Sequence, residues 1–339
     1  MAEDVFSAGE RGASDACVSE LAAGMLEEGL PLVREPFAEV ARRLNIGESQ
    51  VVEMAREMLR SGRMRRFGPF FDFRRFGLNG YLFGAGGSAE AEANIISRMN
   101  GMKNVTHVYG RKHRLRLWFT VLLGSDGEAG EICETLRSEG CEFVAMSVSR
   151  MIKLRPSFVS RCGNFEPRSA EYGALPAAVL DEDMLKTARA LQNGIDISRR
   201  PFDTAAASCG MDAEELLEGA RRMADMGALR RIGASFDHYR AGWTENSLCA
   251  LDMSGTDENI VYEAALRAVS GLFWASHCYI RRMYDCEIRG EWPYNLYVMI
   301  HASSNKLLSL REAELREKLP GGFVSLRTEI EYKKIYYTL

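Results

Sequence analysis

Gly29-Leu30-Pro31-Leu32-Val33-Arg34-Glu35-Pro36-Phe37 and Gly194-Ile195-Asp196-Ile197-Ser198-Arg199-Arg200-Pro201-Phe202 are two copies of one phrase at an offset of 165. The match continues without a gap through Gly62/Gly227, Arg65-Arg66/Arg230-Arg231, Gly68/Gly233, Phe71-Asp72/Phe236-Asp237 and Gly77/Gly242. It gives 17 identities over 49 positions, several times what chance allows. The chain is therefore a tandem duplication. Downstream, Val105-Thr106-His107-Val108-Tyr109 matches Ala275-Ser276-His277-Cys278-Tyr279 at offset 170, and Leu117-Trp118-Phe119 matches Leu296-Tyr297-Val298 at offset 179. The second copy carries about nine extra residues near Met283–Glu291, expected in a loop because loops absorb insertions.

Each copy opens with three helical patterns, in the first at 17–28, 36–44 and 48–61. Pro36 and Pro201 suit a first helical position, and Gly62 and Gly227 a position just past a helix end. Arg-Met-Arg-Arg-Phe-Gly-Pro-Phe-Phe from Arg63, and Ala-Leu-Arg-Arg-Ile-Gly-Ala-Ser-Phe from Ala228, read as wing strands. Strand and helix then alternate as βαββαβ, the ferredoxin-like order. The expected class is α+β, a tandem repeat of a winged helix-turn-helix and a ferredoxin-like domain. The expected divisions are a disordered leader 1–16, winged helix 17–78, ferredoxin-like domain 79–155, linker 156–183, winged helix 184–243 and ferredoxin-like domain 244–339. The tail Tyr332–Tyr337 is expected to add one strand.

Hydrophobic residues make up 46% and charged residues 27% of the 339, a soluble globular composition. No apolar run nears the ~20 residues that cross a bilayer, so no membrane is expected. The acidic N-terminus lacks a signal-peptide core. Eight cysteines without a CxxC pair argue against zinc and iron–sulfur sites and for a reduced, cytoplasmic chain. The net charge of −4 exerts no global pull on nucleic acid.

A winged helix before a ferredoxin-like domain resembles the Lrp/AsnC transcription regulators. The phrases GLPLVREPF, QNGIDISRRPF, RRFG, RRIG and above all WPYNLYVMIH (292–301) resemble the siroheme decarboxylases, with both subunit types of the haem and haem d1 pathways fused in one chain. The resemblance spans residues 20 to 339. It implies loss of carbon dioxide from two acetates, at C12 and C18 of siroheme, giving 12,18-didecarboxysiroheme. It implies no added cofactor and no protein-bound metal, the macrocycle serving as electron sink. The partner is then the tetrapyrrole, and the chain an internal pseudo-dimer whose four sheet edges remain open to a homo-oligomer.

A flat ring with eight carboxylates needs an apolar slot rimmed by cations, for which the planar fork of arginine is suited. Arg111, Lys112, Arg114 and Arg116 cluster on one strand turn, and Arg281 and Arg282 stand at the matching place. A solvated basic hairpin is the alternative for any one of these. Decarboxylation leaves an electron pair that must take a proton, a task for histidine near neutral pH. His107 and His277 are matched, each two residues before a tyrosine, Tyr109 or Tyr279. Strand periodicity puts His–x–Tyr–x–Arg on one face in each half. His277 and His301 are the expected proton donors or ligands to the substrate iron, with His107 and His113 in the other half. His238, in the wing loop, is read as structural. Trp292, Tyr294 and Asn295 are expected to contact substrate. Copy one holds Leu115-Arg116 where the family has Tyr-Asn, so one centre nearer copy two is expected. Two rival functions are a DNA-binding regulator and a non-catalytic tetrapyrrole sensor. Glu48, Glu53 and Glu57 on the third helix, with Asp212, Glu214, Glu215 and Glu218 on its repeat, oppose DNA, because acid there repels the phosphate backbone.

Overall fold

The computed structural model describes residues 15–154, 180–337 and 339. Most of the expected leader and linker lie outside these residues; Asp15 and Ala16 already belong to a helix, and Glu182 opens another.

In copy one, α1 (Asp15–Glu28), α2 (Pro36–Leu44) and α3 (Glu48–Arg60) precede β1 (Met64–Phe71). Then follow β2 (Asn79–Gly86), α4 (Ala89–Gly101), β3 (Val105–Arg111), β4 (Leu117–Leu123), α5 (Asp126–Ser138) and β5 (Glu142–Leu154). Copy two repeats the order: α6 (Glu182–Leu191), α7 (Pro201–Ala207), α8 (Ala213–Asp225), β6 (Leu229–Phe236), β7 (Glu245–Asp252), α9 (Glu258–Val269), β8 (Ala275–Glu287), β9 (Leu296–Ala302), α10 (Asn305–Lys318) and β10 (Gly322–Lys334). Pro36 and Pro201 do stand in the first turns of α2 and α7. No helix among the described residues is long and apolar enough to cross a membrane.

The wing is shared between the copies. Each contributes one strand, and β1 pairs antiparallel with β6 around Gly68↔Gly233. The ribbon needs those glycines. A Cβ on Gly68 would lie 2.7 Å from the Gly194 Cα, and one on Gly233 would lie 2.5 Å from the Leu26 carbonyl oxygen. The two helical units consequently share one core, in which Phe37, Val51 and Phe67 of copy one join Leu191, Phe202 and Ile232 of copy two.

The two ferredoxin-like sheets also join. The eight strands close into a barrel in the order β10-β3-β4-β2-β5-β8-β9-β7. The joints are long: β5 pairs with β8 as far as Leu154↔His277, and β10 pairs with β3 as far as Lys334↔His107. Three expectations change here. The four sheet edges are not open, because each copy closes the other's. Part of the insertion lengthens β8, where Glu287 still pairs with Phe143. The tail makes no extra strand; β10 simply runs on to Lys334. Closure satisfies backbone groups that open edges would leave to another chain.

Helices α4 and α5 cover the outer face of one half-barrel and α9 and α10 that of the other. Inside, Leu82, Leu115, Trp118, Val144, Met146, Trp292, Tyr297 and Leu326 fill one end. The end facing the β1–β6 ribbon is left hollow.

Candidate active site

The hollow is a cavity of about 390 Å³ bounded by the barrel interior, the ribbon and the tail Ile335–Tyr337, within the range of small-molecule sites. Both His–x–Tyr–x–Arg strips line it. His107 and Tyr109 stack at 5.9 Å with Arg111 5.0 Å from the tyrosine ring, while His277 and Tyr279 stack at 6.3 Å with Arg281 5.2 Å from its ring. The strips come from β3 and β8, the matching strands of the two copies.

Its charge is one-sided. Arg65, Arg66, Arg111, Arg230, Arg231, Arg281 and Lys334 line the cavity, and among the described lining residues there is no aspartate or glutamate. Much of the rest is apolar or aromatic, including Phe70, Phe71, Leu82, Trp118 and Leu248. Such a chamber in a chain of net charge −4 suits a large polyanion with apolar faces.

The arginines are not equivalent. Arg111 donates from Nη1 to the Leu326 carbonyl oxygen at 2.8 Å and to Thr328 Oγ1 at 2.9 Å. Arg281 is only 8% exposed, yet its Nε and Nη1 have no hydrogen-bond partner. The difference follows from the strand beside each: β10 offers Arg111 the Thr328 hydroxyl, and β5 has Val148 at the matching place, paired with Arg281 itself. Burial lowers the pKa of both guanidiniums, that of Arg111 to about 10.

Burial also keeps the imidazoles neutral. His107 and His277 are pushed down to about 3 and His238 to about 4, in each case by desolvation first and then by the Lys334 ammonium; His301 is held well below its ordinary range by desolvation and by His238. Desolvation likewise lowers Lys334 to about 8, and its Nζ lies 3.0 Å from His238 Nδ1. His277 Nδ1 lies 2.7 Å from Ser276 Oγ, which lies 2.8 Å from His301 Nε2. Among the described residues no group of three His, Cys, Asp or Glu is placed to hold a metal ion.

Of the residues read from sequence, His107, Tyr109, Arg111, His277, Tyr279, Arg281 and His301 meet in this cavity. The others stand elsewhere. His113 accepts from the Leu115 N–H at 3.1 Å and meets the Trp292 ring edge at 5.6 Å. Arg114 donates to the Arg289 carbonyl oxygen at 2.7 Å and pairs with Glu142, and Arg116 pairs with Glu92. Arg282 is exposed on β8. Trp292 is buried in the filled end of the barrel and donates to Tyr297 Oη at 2.8 Å, with Tyr294 packed on it. Asn295 Oδ1 accepts from the Met253 N–H. Strand direction explains the displacement: the hairpins carrying Arg114, Arg116 and Trp292 lie at the opposite end of the barrel from the ribbon.

Sequence reading also passed over residues. Arg65-Arg66 and Arg230-Arg231 were assigned to a wing and His238 to structure, but all five line the cavity. The signal was there, since the arginine pair recurs at the same place in both copies.

Two family models match the chain: one described as the siroheme decarboxylase NirDL-like HTH domain over residues 24–65, and one as the AsnC-like ligand binding domain over residues 240–333. The siroheme decarboxylase beta subunit of Oleidesulfovibrio alaskensis is 31% identical over 151 residues, 44% of this chain and 90% of that one. The NirH subunit of Pseudomonas aeruginosa is 33% identical over 133 residues, 38% of this chain and 73% of that one. This chain belongs to the siroheme decarboxylase family. The siroheme decarboxylase of Hydrogenobacter thermophilus is 26% identical along 92% of this chain and 91% of its own. Among solved structures, the siroheme decarboxylase NirDL shares the fold with a TM-score of 0.70 and 23% identity, over 95% of this chain and 94% of that one. A second structure of NirDL, with a TM-score of 0.69, is a co-complex with an iron-uroporphyrin III analogue.

Proposed function

We propose that this chain is a siroheme decarboxylase, removing carbon dioxide from the acetates at C12 and C18 of siroheme. The observation that carries the reading is a cavity whose described lining has seven cations, no carboxylate and a pair of matched histidines. Siroheme is flat, apolar on both faces and rich in carboxylates, and this lining complements all three properties.

Each loss breaks the bond between a carboxylate carbon and its methylene. The electron pair stays on that methylene, conjugated with the macrocycle, and a proton converts it to methyl. No resident cofactor enters this scheme. Arg281, with two buried N–H groups awaiting acceptors, takes a peripheral carboxylate, and the ribbon arginines take others. His277 and His107 are the proton donors at the two stations. In the empty cavity both imidazoles are neutral. Desolvation comes first in holding protons off them and Lys334 second; incoming carboxylates neutralise that second cause, so substrate binding raises imidazole basicity.

The recognition helices are engaged within the chain. Arg56 of α3 donates to the Ile197 carbonyl oxygen at 2.9 Å, and Arg221 of α8 to that of Leu32 at 3.1 Å. Arg199 bridges Glu35 and Glu48 at 3.2 Å each. Cations that face the other copy are not offered to phosphate.

The test is anaerobic incubation with siroheme followed by mass analysis of the tetrapyrrole. Two carbon dioxide units should be lost. Siroheme that binds and is recovered unchanged would instead make this a sensor and overturn the proposal.

A further inference from the structure

The two stations are built alike but are not equipped alike. Thr106 and Ser276 are matched, and each lies against the facing strand: Thr106 Oγ1 is 3.4 Å from the Thr120 carbonyl oxygen and Ser276 Oγ 3.5 Å from that of Met299. The next strand is equally well matched. The Leu122 N–H donates to the Asn104 carbonyl oxygen and the His301 N–H to that of Trp274, both at 3.0 Å. Leu122 pairs with Gly80 in copy one just as His301 pairs with Asn246 in copy two. One place in a shared frame thus holds leucine in one half and histidine in the other.

That exchange changes what lies behind the cavity histidine. Neighbouring residues on a strand normally point to opposite faces. A register shift between Ala275 and His277 interrupts the ladder, as a bulge does. There Ser276 Oγ reaches both His277 Nδ1 at 2.7 Å and His301 Nε2 at 2.8 Å. Copy one has the same shift between Val105 and His107, and Thr106 Oγ1 lies 2.9 Å from His107 Nδ1. The place that His301 fills in copy two holds Leu122 in copy one.

Resting on the decarboxylase reading above, we propose that Ser276 and His301 are positioning residues forming a proton relay behind His277, and that copy two alone holds such a store. With substrate carboxylates offsetting Lys334 and Arg111, two of the cations that depress His301, that imidazole carries the extra proton in the productive state. As the bond to carbon dioxide breaks, His277 gives its Nε2 proton to the methylene carbon and takes the Ser276 hydroxyl proton on Nδ1. Ser276 takes the Nε2 proton of His301. The start is one imidazolium and one carbanion; the end is two neutral imidazoles, a hydroxyl and a methyl group, so charge and protons balance. The His107 station hands over one proton and must then draw the next from solvent. The duplicated chain therefore has one fast and one slow station.

The experiment compares wild type, S276A, S276T, H301L and S276A/H301L with siroheme under anaerobic conditions, reading kcat, KM, the solvent deuterium isotope effect and the ratio of singly to doubly decarboxylated product. A positioned acid contributes roughly 10²–10⁴-fold, and loss of its supply is expected to lower kcat by about 10–100-fold. S276A and H301L should fall alike with KM nearly unchanged, lose the multi-proton part of the isotope effect and accumulate singly decarboxylated product. The double variant should be no slower than either single one, as expected for residues acting as a unit. S276T restores the hydroxyl that copy one uses and should restore kcat. Equal losses in S276A and S276T, additive losses in the double variant, or unchanged kcat in S276A would each overturn the relay. Wild type that returns siroheme unchanged overturns the decarboxylase reading instead, so the two failures are distinct.

Discussion

Replacing Arg281 with methionine separates a binding role from a structural one, because the two move stability in opposite directions. The guanidinium is 8% exposed, its Nε and Nη1 meet no acceptor, and its contacts are the rings of Tyr279 at 5.2 Å and Tyr297 at 5.9 Å. A buried, poorly paired cation costs several kcal/mol of solvation, of which the two rings return part. Methionine keeps the apolar stem and removes the charge. The ligand-free protein should gain about 1–3 kcal/mol in chemical denaturation, the range found when buried ions give way to apolar side chains of similar size. Siroheme affinity should fall, because a charge-assisted hydrogen bond to a carboxylate is worth about 1.5–3 kcal/mol, or about 10–150-fold in Kd. Anaerobic absorbance titration of the tetrapyrrole reads the second quantity. A variant that loses stability while binding siroheme as tightly as wild type would show that Arg281 holds the barrel together, and the argument from its orphaned N–H groups would fail.

Acid should destabilise the empty protein selectively. His107, His277, His238 and His301 all have pKa values depressed from 6.5. Their contribution is complete above pH 6.5 and is lost as pH falls, toward about 4 for His238 and about 3 for His107 and His277, because the unfolded chain takes up protons that the folded chain refuses. The slope approaches about 1.4 kcal/mol per pH unit for each histidine. Denaturation at pH 7.5 and 5.5 checks this, and equal stabilities would refute it. G68A places a Cβ against the Gly194 backbone and should cost about 1–3 kcal/mol, the usual penalty of overpacking, and weaken siroheme binding by displacing the ribbon arginines; a wild-type melting curve would contradict the close approach. R114A and R116A remove ion pairs distant from the cavity and should leave Kd within about twofold, since exposed pairs contribute about 0–1 kcal/mol; a tenfold loss would put these hairpins back at the substrate.

Much was legible in advance because local rules fix it. The duplication, the order of helices and strands, and the shared face of His277, Tyr279 and Arg281 all follow from repeat spacing and from the twofold period of a strand. Trp292 was misplaced for a physical reason: an aromatic in an insertion looks the same in sequence whether its indole N–H meets substrate or, as here, a buried tyrosine oxygen. Arg65-Arg66 was misassigned because a wing was sought within each copy.

The sequence by itself determined that there are two copies of one α+β unit, and that copy two alone has a histidine where copy one has Leu122. Tertiary structure decided what those facts mean. Strand pairing between the copies is a long-range choice that no local pattern encodes. It closed eight strands into a barrel, brought four ribbon arginines over its mouth, gave Arg111 a threonine partner while leaving Arg281 without one, and set Ser276 between His277 and His301.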